Sequence, residues 1–199
     1  MLTGKKGIGK YTLINHFLTY VFDKDNYDLN NKIINNETVF YKKCLNNIFP
    51  NIIYLSGDSF DSIKVDDIRS LKSTILKSTI SNKERYVVLD DIELFNLNSL
   101  NALLKVIEEP SLNNYFILIN NKTKPLIETI SSRALEIRVS LTNTKRIEII
   151  ESLINKNDLQ PCINFNISDL SPGDFVFFNN ICQKNNIDIN EDFLLNLKR

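Results

Sequence analysis

The stretch GKKGIGKYTL, residues 4–13, constrains this chain more than any other. Gly4, Gly9 and Lys10 stand at the G-x-x-x-x-G-K spacing of a phosphate-binding loop. Such a loop joins a strand to a helix N-terminus, where backbone N–H groups and the lysine meet an anion. The helix is legible, because Ile14, Phe17, Leu18 and Val21 fall at i, i+3, i+4, i+7 after a start at Lys10. The strand is not: only Met1, Leu2 and Thr3 precede Gly4, against the roughly five residues a strand usually takes. The expectation is therefore a first strand that lacks its start. Tyr11 stands where a hydrolysing loop carries the Ser or Thr that ligates Mg²⁺, and a phenol on a longer stem cannot take that place.

Downstream, apolar runs alternate with helical stripes. Residues 24–47 are polar and read as a loop flanked by helical pieces. NIIYLS at 51–56 is a short apolar run suited to a buried strand. VDDIRSLKSTIL predicts a helix through Val65, Ile68, Leu71 and Ile75, with Asp66 and Asp67 favourable near its start. RYVVLDD is the next strand. NSLNALLKVIEEP then gives a helix with Leu100, Leu103, Leu104 and Ile107 on one face and Pro110 as its stop. YFILIN at 115–120 is a further strand, and PLIETISSRALEIRV runs from a turn through a short helix into another. Repeated βα connections around apolar strands predict an α/β fold whose parallel sheet has helices on both faces, with ligand at the strands' carboxyl ends.

Composition narrows the partners. The 24 basic and 24 acidic residues cancel, so no global field attracts nucleic acid, and any DNA contact is local or made through partners. Cys44, Cys162 and Cys182 are too few and too scattered for a disulfide framework or a zinc site, which fits a reducing cytoplasm. No run approaches the roughly 20 apolar residues of a membrane span, and no signal peptide precedes the loop.

Asp90 and Asp91, closing the run RYVVLDD, are the second chemical feature. Alone, two aspartates at a strand end read as an ordinary turn. Coupled to the loop, they read as a Walker B pair: the first carboxylate helps hold Mg²⁺ and the second polarises the attacking water. The second is Asp rather than Glu, one methylene short, and a misplacement of about 1 Å can cost a hundredfold in rate.

NALLKVIEEPSLNNYFILINN followed by ETISSRA resembles the core of bacterial clamp-loader subunits of the AAA+ class, with their N-A-L-L-K-x-L-E-E-P helix, sensor strand and Ser-Arg-Cys turn. FPNIIYLSGDSFDSIKVDDIRSLKSTI and GIGKYTL are similar to the corresponding stretches of the delta-prime family of DNA polymerase III, in which the loop often has no hydroxyl directly after its lysine. The resemblance spans nearly residues 2–140.

That resemblance implies a three-layer αβα P-loop core over residues 1–140 and a small helical lid over 141–199, with no residues left for the family's helical collar. Gly4, Gly7, Gly9, Lys10, Thr12 and Asp90 are implied as the cofactor-binding set for ATP or ADP, bound without efficient hydrolysis. Asp91 is implied as the second carboxylate and Asn120 as the first sensor, with Ser132 and Arg133 on the Ser-Arg pair and Ala134 replacing the Cys. Arg133 then acts as an arginine finger in trans; its bland alternative is a surface residue pairing with Glu136. The four-cysteine zinc module of motor-type relatives has only Cys44 in its region, so no zinc is expected. LSPGDF at 170–175 is similar to the G-S-P-G-R turn of the lid, but Asp174 stands in place of the arginine, and the second sensor is lost.

The implied partners are the clamp-loader motor and delta subunits, with the sliding clamp and primed DNA reached through a hetero-oligomeric complex of the cytoplasmic polymerase III holoenzyme. An active P-loop ATPase is the alternative. His16, beside the first helix's stripe, reads as structural, and FVFF at 175–178 as lid core rather than a base-stacking platform.

Overall fold

Leu2 and Thr3 form β1, paired in parallel on both sides: Leu2 lies opposite Ile119 and Ile137, and Thr3 opposite Asn120 and Arg138. The computed structural model describes residues 1–58, 63–76, 84–108, 112–166, 168–185 and 187. Contacts divide the chain into one unit of Met1–Gly4 with Lys10–Arg138 and another of Lys5–Gly9 with Val139–Arg199.

In the first unit, β1 leads through the loop to α1 (Lys10–Phe22). Its stripe is buried at Ile14 and Leu18, but Phe17 is 43% exposed, its ring meeting Tyr86 edge-on. The polar stretch that follows is more ordered than its composition suggests. It holds a one-turn 3-10 helix (Lys24–Asn26), an antiparallel pair β2 (Tyr27–Asp28) and β3 (Ile33–Ile34), and α2 (Val39–Leu45) capped by Thr38. Phe40 anchors α2, stacking on Phe22 and meeting Phe49 edge-on, so three aromatics replace the periodic stripe that sequence reading looks for.

β4 (Ile52–Ser56), α3 (Val65–Leu76), β5 (Arg85–Asp90), a 3-10 turn (Ile92–Leu94), α4 (Leu97–Glu108), β6 (Asn114–Asn120), α5 (Glu128–Ser131) and β7 (Ile137–Arg138) complete the unit. The sheet runs β4-β5-β6-β1-β7, with every neighbouring pair parallel. Strand alternation sends Val87 and Leu89 into a core with Ile68, Leu71 and Ile75 of α3 and Leu100 and Leu103 of α4. Val88 faces the other way, toward Leu18 of α1 and Phe40 of α2, which makes three layers. Asn96 caps α4, accepting from the Ser99 N–H. The Pro110 stop lies outside the described residues.

The second unit contains α6 (Asn143–Asn157) and α7 (Pro172–Lys184). Ile150 and Phe175 are its fully buried anchors. The buried Arg146 guanidinium donates to the Phe165 and Leu170 carbonyls, tying down the connection between the helices. Of the FVFF run only Phe175 is core; Phe177 is 60% exposed, because the helical period selects Phe175, Asn179 and Cys182 for the inner face. No helix among the described residues is long and apolar enough to cross a membrane.

Candidate functional site

The residues grouped by sequence as one nucleotide site divide between the two units: Gly4, Lys10, Thr12, Asp90, Asp91, Asn120 and Arg133 in the first, Gly7 and Gly9 in the second.

In the first unit, parallel pairing brings the ends of β4, β5 and β6 together. Lys10, the first residue of α1, is only 3% exposed and donates to the Gly4 carbonyl at 2.8 Å. Burial lowers its pKa from the ordinary lysine value, and the charges of Asp90, Glu93 and Asp91 oppose that shift. Thr12 points outward and is exposed.

Both oxygens of Asp90 already have protein donors. Oδ2 accepts the Tyr54 hydroxyl at 2.9 Å, while Oδ1 accepts the Asp91 N–H at 2.8 Å and the Asn121 amide at 3.3 Å. Burial, reinforced by the Asp90 charge, pushes the Tyr54 phenol far above its ordinary pKa, so it stays a donor. Asp91 is buried in a left-handed turn, with φ 49° and ψ 44°, and its Oδ1 accepts from Asn121 at 2.7 Å.

Asn120 lies at the end of β6, but its side chain accepts from the Lys122 N–H and its carbonyl from the Gly4 N–H. Asn121, just past the strand, is the one that reaches the two aspartates. Sequence reading also missed Glu93, which is buried with Oε1 accepting from the Asn121 N–H, the Thr123 N–H and the Thr123 hydroxyl. Its signal was an acidic residue inside the apolar run IELF immediately after the aspartates.

Arg133 lies in the turn after α5 and pairs with Glu108, not with Glu136, which pairs with Arg138. Its Nη1 also donates to the Thr129 carbonyl.

In the second unit, Gly7 has φ +78° and its carbonyl accepts the Gly173 N–H at 2.8 Å. A Cβ on Gly7 would lie 2.1 Å from Ser171 Oγ, and one on Gly173 would lie 2.8 Å from the Gly7 Cα, so the two backbones meet where only glycine fits. Ser171 caps α7: its Oγ accepts the Asp174 N–H and donates to the Asp174 carboxylate at 2.7 Å. Asp174 is thereby a capping residue. Gly9, with φ +92°, is exposed and has open space around it.

A magnesium nucleotide requires a hydroxyl beside the loop lysine and an available oxygen on the strand-end carboxylate. Tyr11 supplies no such hydroxyl; its ring instead packs edge-on against Tyr54 at 5.2 Å, and Tyr54 takes Asp90 Oδ2. These residues do not fit the metal. What they retain for a phosphate is the Lys10 cation at a helix start.

Residues 1–143 match the family model described as DNA polymerase III, delta subunit. A DNA polymerase III subunit delta' from Buchnera aphidicola subsp. Baizongia pistaciae is 35% identical over 105 residues, covering 52% of this chain and 31% of that protein. A subunit gamma from Buchnera aphidicola subsp. Acyrthosiphon pisum is 26% identical over 147 residues, covering 74% of this chain and 39% of its own. The crystal structure of a gamma subunit-related protein from Thermotoga maritima superposes with a TM-score of 0.52 at 18% identity, over 78% of this chain and 47% of that one, and shares the fold. The chain thus spans roughly a third of the length of these two curated relatives.

Proposed function

Since the chain belongs to the DNA polymerase III delta-subunit family over residues 1–143, we propose that it serves as a delta-prime-like clamp-loader subunit of that polymerase, built on an AAA+ core, with little or no nucleotide hydrolysis of its own. The observation that carries the second half is the hydrogen bond from Tyr54 to Asp90 beside Tyr11, which stands where a hydrolysing loop has its Ser or Thr. A metal with no hydroxyl ligand and a strand-end carboxylate already engaged by three donors is poorly placed to neutralise the charge that develops on a transferred phosphoryl group. ATP or ADP is bound without efficient hydrolysis, with Lys10 as the cation that meets its phosphates, and residues 141–199 serve as the helical lid.

In this reading the partners are the motor and delta subunits of the loader, with the sliding clamp and primed DNA reached through the complex in the cytoplasm. Arg133 acts in trans on a neighbour's nucleotide, so its own subunit need not hydrolyse anything. The test is reconstitution. The chain, at the full length its gene encodes, is mixed with motor and delta subunits of its source cell; co-elution as one complex is expected, and separate elution overturns the assignment.

The alternative, an active P-loop ATPase, is favoured by the charges of Asp90, Glu93 and Asp91 acting on Lys10 and by the match to a gamma subunit. Metal-dependent ATP turnover by the purified chain, abolished in Lys10→Ala, would establish it.

A further inference from the structure

The geometry points to Tyr54 as the group that weakens Asp90 as a ligand for divalent cations, its phenolic O–H taking up lone-pair density of Oδ2. This deepens the proposed function, resting on Asp90 as the strand-end carboxylate of a phosphate-binding core.

Sheet register makes the contact. Tyr54 is paired with Val88 and Ser56 with Asp90, so Tyr54 lies two residues before the level of Asp90. Side chains two apart share a face, and a step of two residues is about 6.6 Å along a strand. A phenol can lean across that distance to donate at its tip; a Phe, Leu or Val at the same place leaves the oxygen bare.

The ring is held for this task. Tyr11 meets it edge-on at 5.2 Å, and both rings line a cavity of about 230 Å³ with Asn15, Leu18, Phe40 and Val88. Thus the substitution that removes the loop's metal hydroxyl also packs on the residue that occupies the carboxylate. Asp90 Oδ1 is covered independently by the Asp91 N–H and the Asn121 amide. Three neutral donors thus share the lone pairs of this carboxylate, and a cation at Oδ2 competes with the Tyr54 O–H. Burial keeps that hydroxyl protonated throughout the neutral range.

The measurement is Mn²⁺ binding by the full chain, followed by the loss of free-ion paramagnetic resonance signal, without nucleotide and with ATP. Tyr54→Phe deletes one charge-assisted hydrogen bond, so its Mn²⁺ affinity is expected to rise about tenfold or more over wild type. Tyr54→Leu repeats the test with an unrelated side chain in the same wall. The gain is expected to vanish in Tyr54→Phe/Asp90→Asn. Wild-type affinity in folded Tyr54→Phe and Tyr54→Leu chains overturns the inference, as does a gain that survives Asp90→Asn. Either failure leaves loader assembly standing, because assembly is read from co-elution of the wild-type chain.

Discussion

Arg133 and Glu108 form an ion pair, Nε to Oε1 at 2.6 Å, that ties the turn after α5 to the last residue of α4. Both side chains are about 40% exposed, so the pair contributes only about 0–1 kcal/mol to stability. Its consequence is orientation: the guanidinium is held at the surface by a partner from which it can be released. With Arg133 acting in trans, Arg133→Ala and Arg133→Lys are expected to lower the DNA-stimulated ATPase of the reconstituted loader. For Ala the loss should approach the roughly 10³-fold scale of a lost finger, while the melting temperature of the chain stays nearly constant. Full activity in complexes shown to contain Arg133→Ala sinks the assignment.

The close approach of Gly7 and Ser171 yields a double-mutant cycle. Gly7→Ala places a methyl on Ser171 Oγ at a positive φ, with an expected cost of about 1–3 kcal/mol. Ser171→Ala removes the α7 cap, costing about 1 kcal/mol. Because the second change removes the atom that clashes in the first, the double variant should lose less than the sum. Strict additivity in urea unfolding contradicts this packing.

Leu103 of α4 has no exposed surface and contacts the sheet core, whereas Leu112, just before β6, is 91% exposed. Leu103→Ala is expected to cost about 2–5 kcal/mol, and Leu112→Ala to stay within about 0.5 kcal/mol of wild type. Thermal denaturation of the two variants checks the placement of the core, and equal losses contradict it.

His16 lies against Tyr27, its Nδ1 3.1 Å from the phenol oxygen, and burial, with a smaller effect of Lys32, lowers its pKa below the ordinary 6.5. Below that value the unfolded chain takes up a proton that the folded chain resists, so the unfolded state binds more protons. Stability must therefore fall as pH drops from 6.5 through the lower folded-state pKa. His16→Asn keeps a polar group toward Tyr27 and does not titrate. On acidification through this window the wild-type urea midpoint should fall relative to that of the variant, and parallel profiles refute the assignment.

The elements carried by a local period or a local spacing were determined by the sequence alone. The loop before α1, the stripes of α3 and α4, the apolar runs of β4, β5 and β6, and the aspartates closing β5 each depend on residues a few places apart, where backbone geometry fixes which side chains share a face. The tertiary structure decided which atoms of those elements meet. Arg133 and Glu136 looked like a helical pair, but α5 ends at Ser131, so the three-residue spacing no longer places them side by side and Glu108 takes the contact. Asn121 rather than Asn120 reaches Asp90, because strand alternation turns adjacent residues apart and only the exit from β6 selects between them. Tyr54 meets Asp90 through the register of β4 on β5, and Gly7 meets Gly173 through the packing of residues 5–9 with α7. Register and packing join residues far apart in the chain, and no local pattern records them.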